Sequence, residues 1–331
     1  MRSGPSVGLP SACTRMSTTC ISKALEHAES DGRELLRHIK YNMFVFMARA
    51  RNRSFVTLLL ALASSWDNVA GHGQQVAWNP PPVPDSVVAH DVPYTLEGQS
   101  FTGYVAFPKD PTRTASAGVF VGHTWNGISS MEKWRSQQLA AKGFVAFVPD
   151  LYGTNVRPKT DAAARAEMDK ILSNLTAFYY HLNEGVDILK SGLGPTAPKV
   201  NSSELFAVGY CLGGQMVLEL ARRGYDFKGV TSFHGELGNL TSKSNDKFTP
   251  SVAISVHHAD LDYQGPQALL DIENELRANN VSRWMTHKYG HCHHAWTVPS
   301  NANYKPFEAA QSHDYMFSFN AAILEASRSG A

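Results

Sequence analysis

The sequence predicts an α/β protein built on a mostly parallel central sheet with helices on both faces. One observation is that short apolar runs, typical of buried strands, alternate with longer helical segments from residue 117 onward. Strands that alternate with helices imply right-handed crossovers, and therefore parallel strands. The other observation is the hexapeptide Gly-Tyr-Cys-Leu-Gly-Gly at 209–214, which lies between an apolar strand and a helix.

The predicted elements follow one another with few interruptions. Residues 71–89 are rich in proline and are predicted to form an extended lead-in to a domain at 90–328. Residues 93–107 are predicted to form two strands around a turn that contains Gly98. Further strands are predicted at 117–122, 144–148, 204–210, 227–233, 251–257 and 283–289, and helices at 131–141, 161–190, 215–223, 266–278 and 307–326.

Composition limits the class of protein. The chain of 331 residues is 43% hydrophobic and 18% charged, with a formal net charge of +1. It can therefore form a large core, and its charge gives no electrostatic reason to expect nucleic acid as a partner. The cysteines are too few for a disulfide framework. They are Cys13, Cys20, Cys211 and Cys292.

The N-terminal region differs from the rest of the chain. Residues 1–46 are polar and mixed in charge, and a basic stretch and a short apolar run at 55–63 follow them. This layout is typical of a secretory signal peptide, so 47–70 is predicted to be one. Residues 1–46 are then a disordered segment or an upstream extension, and the working initiator is Met47 or Met43.

We therefore expect the protein to be secreted or to lie in the secretory pathway. The apolar run is too short to span a bilayer, so no stable membrane insertion is expected. A signal anchor, or a buried or amphipathic helix, is the alternative for this segment, and a cytoplasmic protein is the alternative location. Four Asn-x-Ser/Thr sequons permit glycosylation, and they begin at Asn174, Asn201, Asn239 and Asn280.

The hexapeptide at 209–214 has the features of a nucleophile elbow, the strand–turn–helix unit of α/β-hydrolases. Gly209 and Gly213 leave room where the backbones of strand and helix approach closely. The helix N-terminus directs partial positive charge at the turn, which favours a thiolate at Cys211. The N–H of Leu212 can donate to an oxyanion. A buried structural cysteine is the alternative that the hexapeptide alone leaves open.

Two later strands end in residues that complete a catalytic triad. Asp260 and Asp262 follow the strand at 251–257, and three histidines follow the strand at 283–289. The order nucleophile, acid, histidine along the chain is typical of α/β-hydrolases. The histidine takes the thiol proton, and the carboxylate orients the imidazole. The residues alone do not decide between the two aspartates, or among His291, His293 and His294.

Several motifs in order resemble those of the dienelactone hydrolase family, over residues 90–328. Besides the elbow, they lie at 119–123, 143–153, 233–235 (Phe-His-Gly), 258–260 (His-Ala-Asp) and 294–297 (His-Ala-Trp-Thr). The resemblance implies a triad of Cys211, Asp260 and His294. It leaves three nearby side chains as loop residues: Asp262, His291 and His293. It also implies hydrolysis of a small-molecule ester or lactone through a thioacyl intermediate, with no cofactor. We expect a monomer.

Two positions depart from the family pattern. The bacterial enzymes have a glutamate, which interacts with the cysteine, where this chain has Thr124. We therefore expect a simpler Cys211–His294 pair. Thr297 and Val298 stand where an arginine can bind the dienelactone carboxylate, so dienelactone itself is not an expected substrate.

The remaining predicted site residues follow from the α/β-hydrolase fold. A second oxyanion donor is expected in the loop after the strand at 117–122, at Thr124 or Trp125, beside Leu212. Four aromatic residues are predicted to line the substrate pocket, with a place in the core as the alternative. They are Trp125, Tyr152, Phe233 and Trp296.

Three other interpretations remain. His257, His258 and the cluster at 291–294 suggest a metal site, but neighbouring ligands in one short run seldom converge on one ion, so no metal is predicted. Cys292 is a candidate for oxidation together with Cys211. The alternative function is a non-catalytic ligand-binding protein on the same scaffold, because a fold does not determine a function.

Overall fold

An eight-stranded sheet forms the centre of the computed structural model, which describes residues 73–110, 116–240 and 246–329. The strands are β1 (Val87–Leu96), β2 (Gln99–Pro108), β3 (Ser116–Gly122), β4 (Val145–Val148), β5 (Val200–Tyr210), β6 (Gly229–Phe233), β7 (Ala253–Ala259) and β8 (Arg283–Tyr289). The predicted N-terminal extension and signal peptide lie outside the described residues, as do Cys13 and Cys20.

The strand order brings the carboxyl ends of six strands together. Across the sheet the order is β1-β2-β4-β3-β5-β6-β7-β8, and β2 pairs in antiparallel fashion with both β1 and β4. Every pair from β4 through β3 to β8 is parallel. The carboxyl ends of β3 to β8 therefore lie along one edge of the sheet, where α/β proteins bind ligands. This arrangement confirms the predicted mostly parallel sheet.

The first strand begins within the predicted lead-in. Val87 already pairs with Pro108 of β2, so the extended segment joins the sheet before residue 90. Glu97 and Gly98 both have positive φ and connect β1 to β2. A two-residue turn of this kind matches the twist of the two strands it joins.

Six helices in the described part of the chain pack on the sheet. They are α1 (Ser130–Ala141), α2 (Asp161–Ser173), α3 (Leu175–Asp187), α4 (Leu212–Arg222), α5 (Gly265–Ala278) and α6 (Pro306–Ser329). The helical stretch predicted at 161–190 is two helices, because Asn174 accepts a hydrogen bond from the Ala177 N–H at 3.1 Å and thereby caps α3. A π-helical turn, Ile188–Gly192, follows α3. None of the described helices is long and apolar enough to cross a membrane.

Apolar side chains are buried on both faces of the sheet. All residues of β3 are buried, as are those of β4, β6 and β7. Phe120 packs in one core cluster with Leu182, whereas its neighbour Val119 packs in another with Met131 and Met316. Successive strand residues point to opposite faces, so helices cover both sides of the sheet.

A buried ion-pair network joins α4 to α5 and to the loop after β6. Arg222 is 1% exposed and donates to Glu219 Oε1 at 3.0 Å and to Glu275 Oε2 at 2.7 Å. Its guanidinium also donates to the carbonyl of Leu237 at 2.7 Å. Glu219 accepts a further hydrogen bond from the Tyr179 hydroxyl at 2.6 Å. The network therefore fastens the C-terminal end of α4 to three neighbouring elements, α5, the loop after β6 and, through Tyr179, α3.

We expect Arg222→Met to lower the free energy of unfolding by about 3–5 kcal/mol, because it leaves Glu219 as a buried carboxylate without its cation. The neighbouring Arg223 supplies a matched control. Its partly exposed guanidinium pairs with Asp246 at 3.1 Å, and Arg223→Met should therefore cost no more than about 1 kcal/mol. Urea denaturation followed by circular dichroism measures both losses. Equal losses would contradict the special role of the buried arginine.

Candidate active site

Cys211 lies at a strained turn between β5 and α4. Its backbone has φ +57° and ψ −119°, a conformation that residues with a Cβ rarely adopt. Glycines make the turn possible: a Cβ on Gly209 would collide with the Gly213 carbonyl, and one on Gly213 with the Gly122 carbonyl at the end of β3. The strand–turn–helix unit therefore has the geometry of a nucleophile elbow, with Cys211 9% exposed.

The first turn of α4 supplies a hydrogen-bond donor beside Cys211. The N–H groups of Gly214 and Gln215 bond to the Cys211 carbonyl at 2.9 and 3.3 Å. Leu212 is the first residue of α4, so its N–H has no acceptor within the helix. Its N–H and the positive end of the helix are suited to stabilise an oxyanion that forms next to the cysteine.

His294 is the histidine that the fold brings to Cys211. It follows β8, is 1% exposed, and its Nδ1 lies 3.0 Å from Asp262 Oδ2. Burial by itself lowers the pKa of His294, but the charge of Cys211 and hydrogen bonds with Asp262 and Cys211 outweigh burial and raise this pKa to about 10. The imidazole therefore holds its proton at neutral pH when Cys211 is charged, as in an imidazolium–thiolate pair.

The acid beside His294 is Asp262, so the prediction of Asp260 as its partner is wrong. β7 continues to Ala259, and the Asp260 N–H extends the ladder by donating to the Tyr289 carbonyl at 2.9 Å. The Asp260 carboxylate is 36% exposed and pairs with Lys288 Nζ at 3.3 Å. The chain turns after β7, where the Asp262 N–H donates to the Ala259 carbonyl, and Asp262 is buried at the end of this turn.

Gln264 holds the Asp262 carboxylate together with His294. The backbone N–H and the Nε2 of Gln264 donate to Asp262 Oδ1 at 3.2 and 3.4 Å. Burial raises the pKa of Asp262, but the hydrogen bond and the charge of His294 outweigh it and lower this pKa overall. The ionised carboxylate fixes the imidazole so that Nδ1 carries a proton and Nε2 is left for Cys211.

The N–H of Thr124 does not serve as an oxyanion donor, so that prediction is wrong. It donates instead to Oε1 of the buried Glu132 at 3.0 Å. Glu132 also accepts from the N–H and the hydroxyl of Ser129, at 2.9 and 2.5 Å, in a capping box that begins α1. The Ser-x-x-Glu spacing at 129–132 is a sequence pattern for such a box. Trp125 is the other candidate donor in this loop.

Tyr152 lies within reach of the nucleophile and bonds to the loop that carries Trp125. Both side chains are largely buried, and their place in the substrate pocket stays a prediction. The Tyr152 hydroxyl donates to the Trp125 carbonyl at 3.0 Å. Burial, and next the charge of Cys211, raise the pKa of Tyr152, so its phenol lies within electrostatic reach of the sulfur. Asp150 holds this loop by accepting from the N–H groups of Tyr152 and Gly153 at 3.1 and 3.2 Å.

Phe233 and Trp296 belong to the core, so their prediction as pocket residues is wrong. Both have no exposed surface. Phe233 stacks between His257 and His313, with ring centroids 4.6 and 4.5 Å away. Trp296 packs in a small cluster with Ala259, Tyr289 and Cys292. Neither ring can contact a substrate in this arrangement.

Cys292 and the neighbouring histidines do not join the site. Cys292 is fully buried in the cluster with Trp296, which does not include Cys211, and burial raises its pKa to about 11. The described residues therefore give no support to joint oxidation of the two cysteines. His291 and His293 are exposed loop residues. Within the described residues, no three His, Cys, Asp or Glu side chains are grouped so that they could hold a metal ion.

We expect Cys211→Ala to lower the pKa of His294, because the mutation removes the charge and the hydrogen bond that raise it to about 10. In the variant only Asp262 still opposes the effect of burial on this pKa. The imidazole should therefore lose its proton at a lower pH than in the wild type. Nitrogen-15 NMR of the imidazole ring against pH measures this change. Cys292→Ala is the control and should leave the His294 titration unchanged. An unchanged titration in Cys211→Ala would contradict the pair.

Comparisons with known proteins show the family and the fold. The model of the dienelactone hydrolase family matches residues 101–324. An uncharacterized protein of Caenorhabditis elegans is 32% identical over 127 residues, which cover 38% of this chain and 76% of that protein. Among solved structures, a dienelactone hydrolase-like promiscuous phosphotriesterase from metagenomic libraries is similar with a TM-score of 0.61 and 21% identity, covering 72% of this chain and 99% of its own.

A second solved structure is similar over a larger part of this chain. Inhibited esterase B of Lactobacillus rhamnosis has a TM-score of 0.51 and 15% identity, and the match covers 84% of this chain and 98% of that one. At such identities the two structures show the fold alone. They confirm the α/β-hydrolase fold that the sequence predicts.

Proposed function

The chain belongs to the dienelactone hydrolase family, and from that premise we propose that it hydrolyses small esters or lactones with Cys211 as the nucleophile. One observation carries the proposal. A cysteine on a strained turn, at the N-terminus of α4, faces a histidine whose other nitrogen is bound by the buried carboxylate of Asp262. Acyl transfer requires a nucleophile that is hydrogen-bonded to a base, and a third group that is hydrogen-bonded to the base and orients it.

The first half of the proposed reaction forms a thioester. The thiolate of Cys211 attacks the substrate carbonyl carbon, and the developing oxyanion accepts a hydrogen bond from the Leu212 N–H. The intermediate collapses with cleavage of the bond between the carbonyl carbon and the alcohol oxygen. The His294 imidazolium gives its Nε2 proton to that oxygen, and the alcohol leaves. A thioester on Cys211 and a neutral His294 remain.

The second half uses water to release the acid. Neutral His294 takes a proton from a water molecule as the water oxygen attacks the thioester carbonyl. Collapse of this intermediate breaks the carbon–sulfur bond, and Cys211 returns as a thiolate beside the imidazolium. Asp262 orients the imidazole in both halves and stabilises its charged form. The cycle balances with water as the second reactant.

The loop after β3 completes the proposed oxyanion hole. We assign the second donor to the Trp125 N–H, because the Thr124 N–H is bound to Glu132. The Tyr152 hydroxyl holds the Trp125 carbonyl, so the peptide that would face the oxyanion is anchored on both sides. Donors held in place before the reaction stabilise charge without reorganisation.

The proposed substrates carry no negative charge on the acyl part. Thr297, which stands where the family's arginine can bind a carboxylate, is fully buried and hydrogen-bonds to His234 instead of facing the site. The phenol of Tyr152 lies within electrostatic reach of the sulfur, and aromatic side chains in a site favour apolar groups. Neutral esters and lactones therefore fit this site better than dienelactone.

Trapping of the thioester tests the proposal. The full-length protein is mixed with p-nitrophenyl acetate, quenched in acid, digested and analysed by mass spectrometry. We expect an acetyl group on the peptide that contains Cys211 and none on the peptide that contains Cys292, which is buried as a thiol. Acetylation of another residue, or turnover of the ester with no acetyl group on Cys211, would contradict the proposed nucleophile.

A further inference from the structure

His234 connects the backbone of Cys211 to the loop that carries His294. It directly follows β6, is fully buried and has φ +39°. Its Nδ1 accepts a hydrogen bond from the Cys211 N–H at 3.1 Å, and its Nε2 lies 2.8 Å from Thr297 Oγ1. Thr297 belongs to the loop after β8, three residues beyond His294. One imidazole ring thus spans the two segments that carry nucleophile and base.

The two hydrogen bonds determine the protonation state of His234. A backbone N–H can only donate, so Nδ1 must be the unprotonated acceptor and Nε2 must donate its proton to Thr297 Oγ1. A protonated imidazole could not accept the Cys211 N–H. Burial, and next the charge of His294, lower the pKa of His234 well below its ordinary value. His234 is therefore neutral, as the hydrogen bonds require.

Other contacts anchor both ends of this connection. The Thr297 carbonyl accepts a hydrogen bond from Nη2 of the buried Arg135 on α1 at 2.9 Å. The Cys211 N–H also donates to the Phe233 carbonyl at 3.0 Å. The rings of His234 and His294 meet edge to face, with centroids 5.0 Å apart. His234 thus contacts the nucleophile's backbone and the ring of the base while being closed off from solvent.

We propose that His234 is a positioning residue that sets the distance and angle between Cys211 and His294. This inference rests on the proposed function, because it takes these two residues as nucleophile and base. Without the connection, the strained turn and the loop after β8 lose a shared anchor, and a misplacement of about 1 Å can cost about 100-fold in rate. The loss should fall on kcat rather than KM, because His234 does not reach the pocket.

Two variants of His234 separate its hydrogen bond from its backbone conformation. Glycine and asparagine both tolerate positive φ. The Asn Oδ1 can accept the Cys211 N–H in place of Nδ1, whereas glycine removes the acceptor. We expect His234→Gly to lower kcat for p-nitrophenyl acetate by about 10-fold to 100-fold, with KM within about twofold. His234→Asn should keep most of the activity.

Thr297→Val tests the other arm of the connection. It removes the acceptor of the His234 Nε2–H with little change in volume, and we expect a loss of kcat smaller than that of His234→Gly. In the His234→Asn background it should add no further loss, because the shorter side chain does not reach residue 297. The rate at which iodoacetamide alkylates Cys211 reports the reactivity of its thiolate and does not depend on ester binding. If His234 acts by positioning Cys211 and His294, this rate should fall in the same order of variants as kcat.

The outcomes distinguish the positioning role from the proposed function. All rates are measured well below the thermal unfolding midpoint of each variant, so loss of folded protein does not enter them. Wild-type kcat and alkylation in His234→Gly, together with an inactive Cys211→Ala, would overturn the positioning role alone. Equal losses in His234→Gly and His234→Asn would overturn the role of the acceptor. Wild-type turnover in Cys211→Ala would overturn the proposed function itself.

Discussion

Replacing Cys211 with alanine is expected to reduce ester hydrolysis by roughly 10⁴-fold or more, to the level that binding and the oxyanion hole alone sustain. The mutation removes the sulfur that forms the thioester, so no acyl-enzyme can form at this position. Steady-state hydrolysis of p-nitrophenyl acetate by the wild type and the variant measures the effect. The fold should persist, because alanine replaces a side chain of similar size.

Cys292→Ala is the matched control for this experiment. Cys292 is the other cysteine among the described residues, and it is fully buried in a cluster that does not include Cys211. Its loss should leave kcat near that of the wild type. Activity that survives Cys211→Ala would place the chemistry on another residue. A wild-type protein with no activity on any ester or lactone tested would favour a ligand-binding protein.

A pair of aspartate variants should show the second large effect. Asp262→Asn is expected to lower kcat by about 100-fold or more, because it removes the charge that orients His294 and stabilises its imidazolium. Asp260→Asn should stay within about threefold of the wild type, since an exposed ion pair with Lys288 contributes little. The two residues lie two positions apart in one turn, so each serves as the control for the other.

The pH dependence of the two variants gives an independent check. The hydrogen bond and the charge of Asp262 are among the causes that raise the pKa of His294 to about 10. Asp262→Asn should therefore lower this pKa, while Asp260→Asn should leave it unchanged. Comparable losses of kcat in both variants, or a lowered pKa in Asp260→Asn, would contradict the assignment of Asp262.

The elements nearest to the reacting sulfur were predictable because they depend on local sequence. Glycines around Cys211 and apolar runs on either side predict a strand, a strained turn and a helix, and the structure has all three. The small residue and the aromatic after His294, in the family pattern, separated it from His291 and His293. The structure buries His294 and exposes the other two. The catalytic roles of these residues stay predictions until activity is measured.

The errors concern residues whose orientation depends on distant parts of the chain. Asp260 and Asp262 follow the same strand and have the same chemistry, so no local pattern separates them. Thr124 was predicted as a donor because its loop faces the elbow, but the Glu132 side chain from α1 binds its N–H. Phe233 was predicted in the pocket, yet it stacks between histidines of β7 and α6.

The sequence by itself determined the parallel sheet, the elbow at Cys211 and the choice of His294, because hydrophobic periodicity, glycine sterics and family motifs act over short stretches. Only the tertiary structure showed which aspartate lies beside His294, that the Thr124 N–H is bound to Glu132, and that Phe233 and Trp296 lie in the core. Each of these depends on which side chains meet across strands and helices that are far apart in sequence. The connection through His234 is of the same kind, since three separate loops build it.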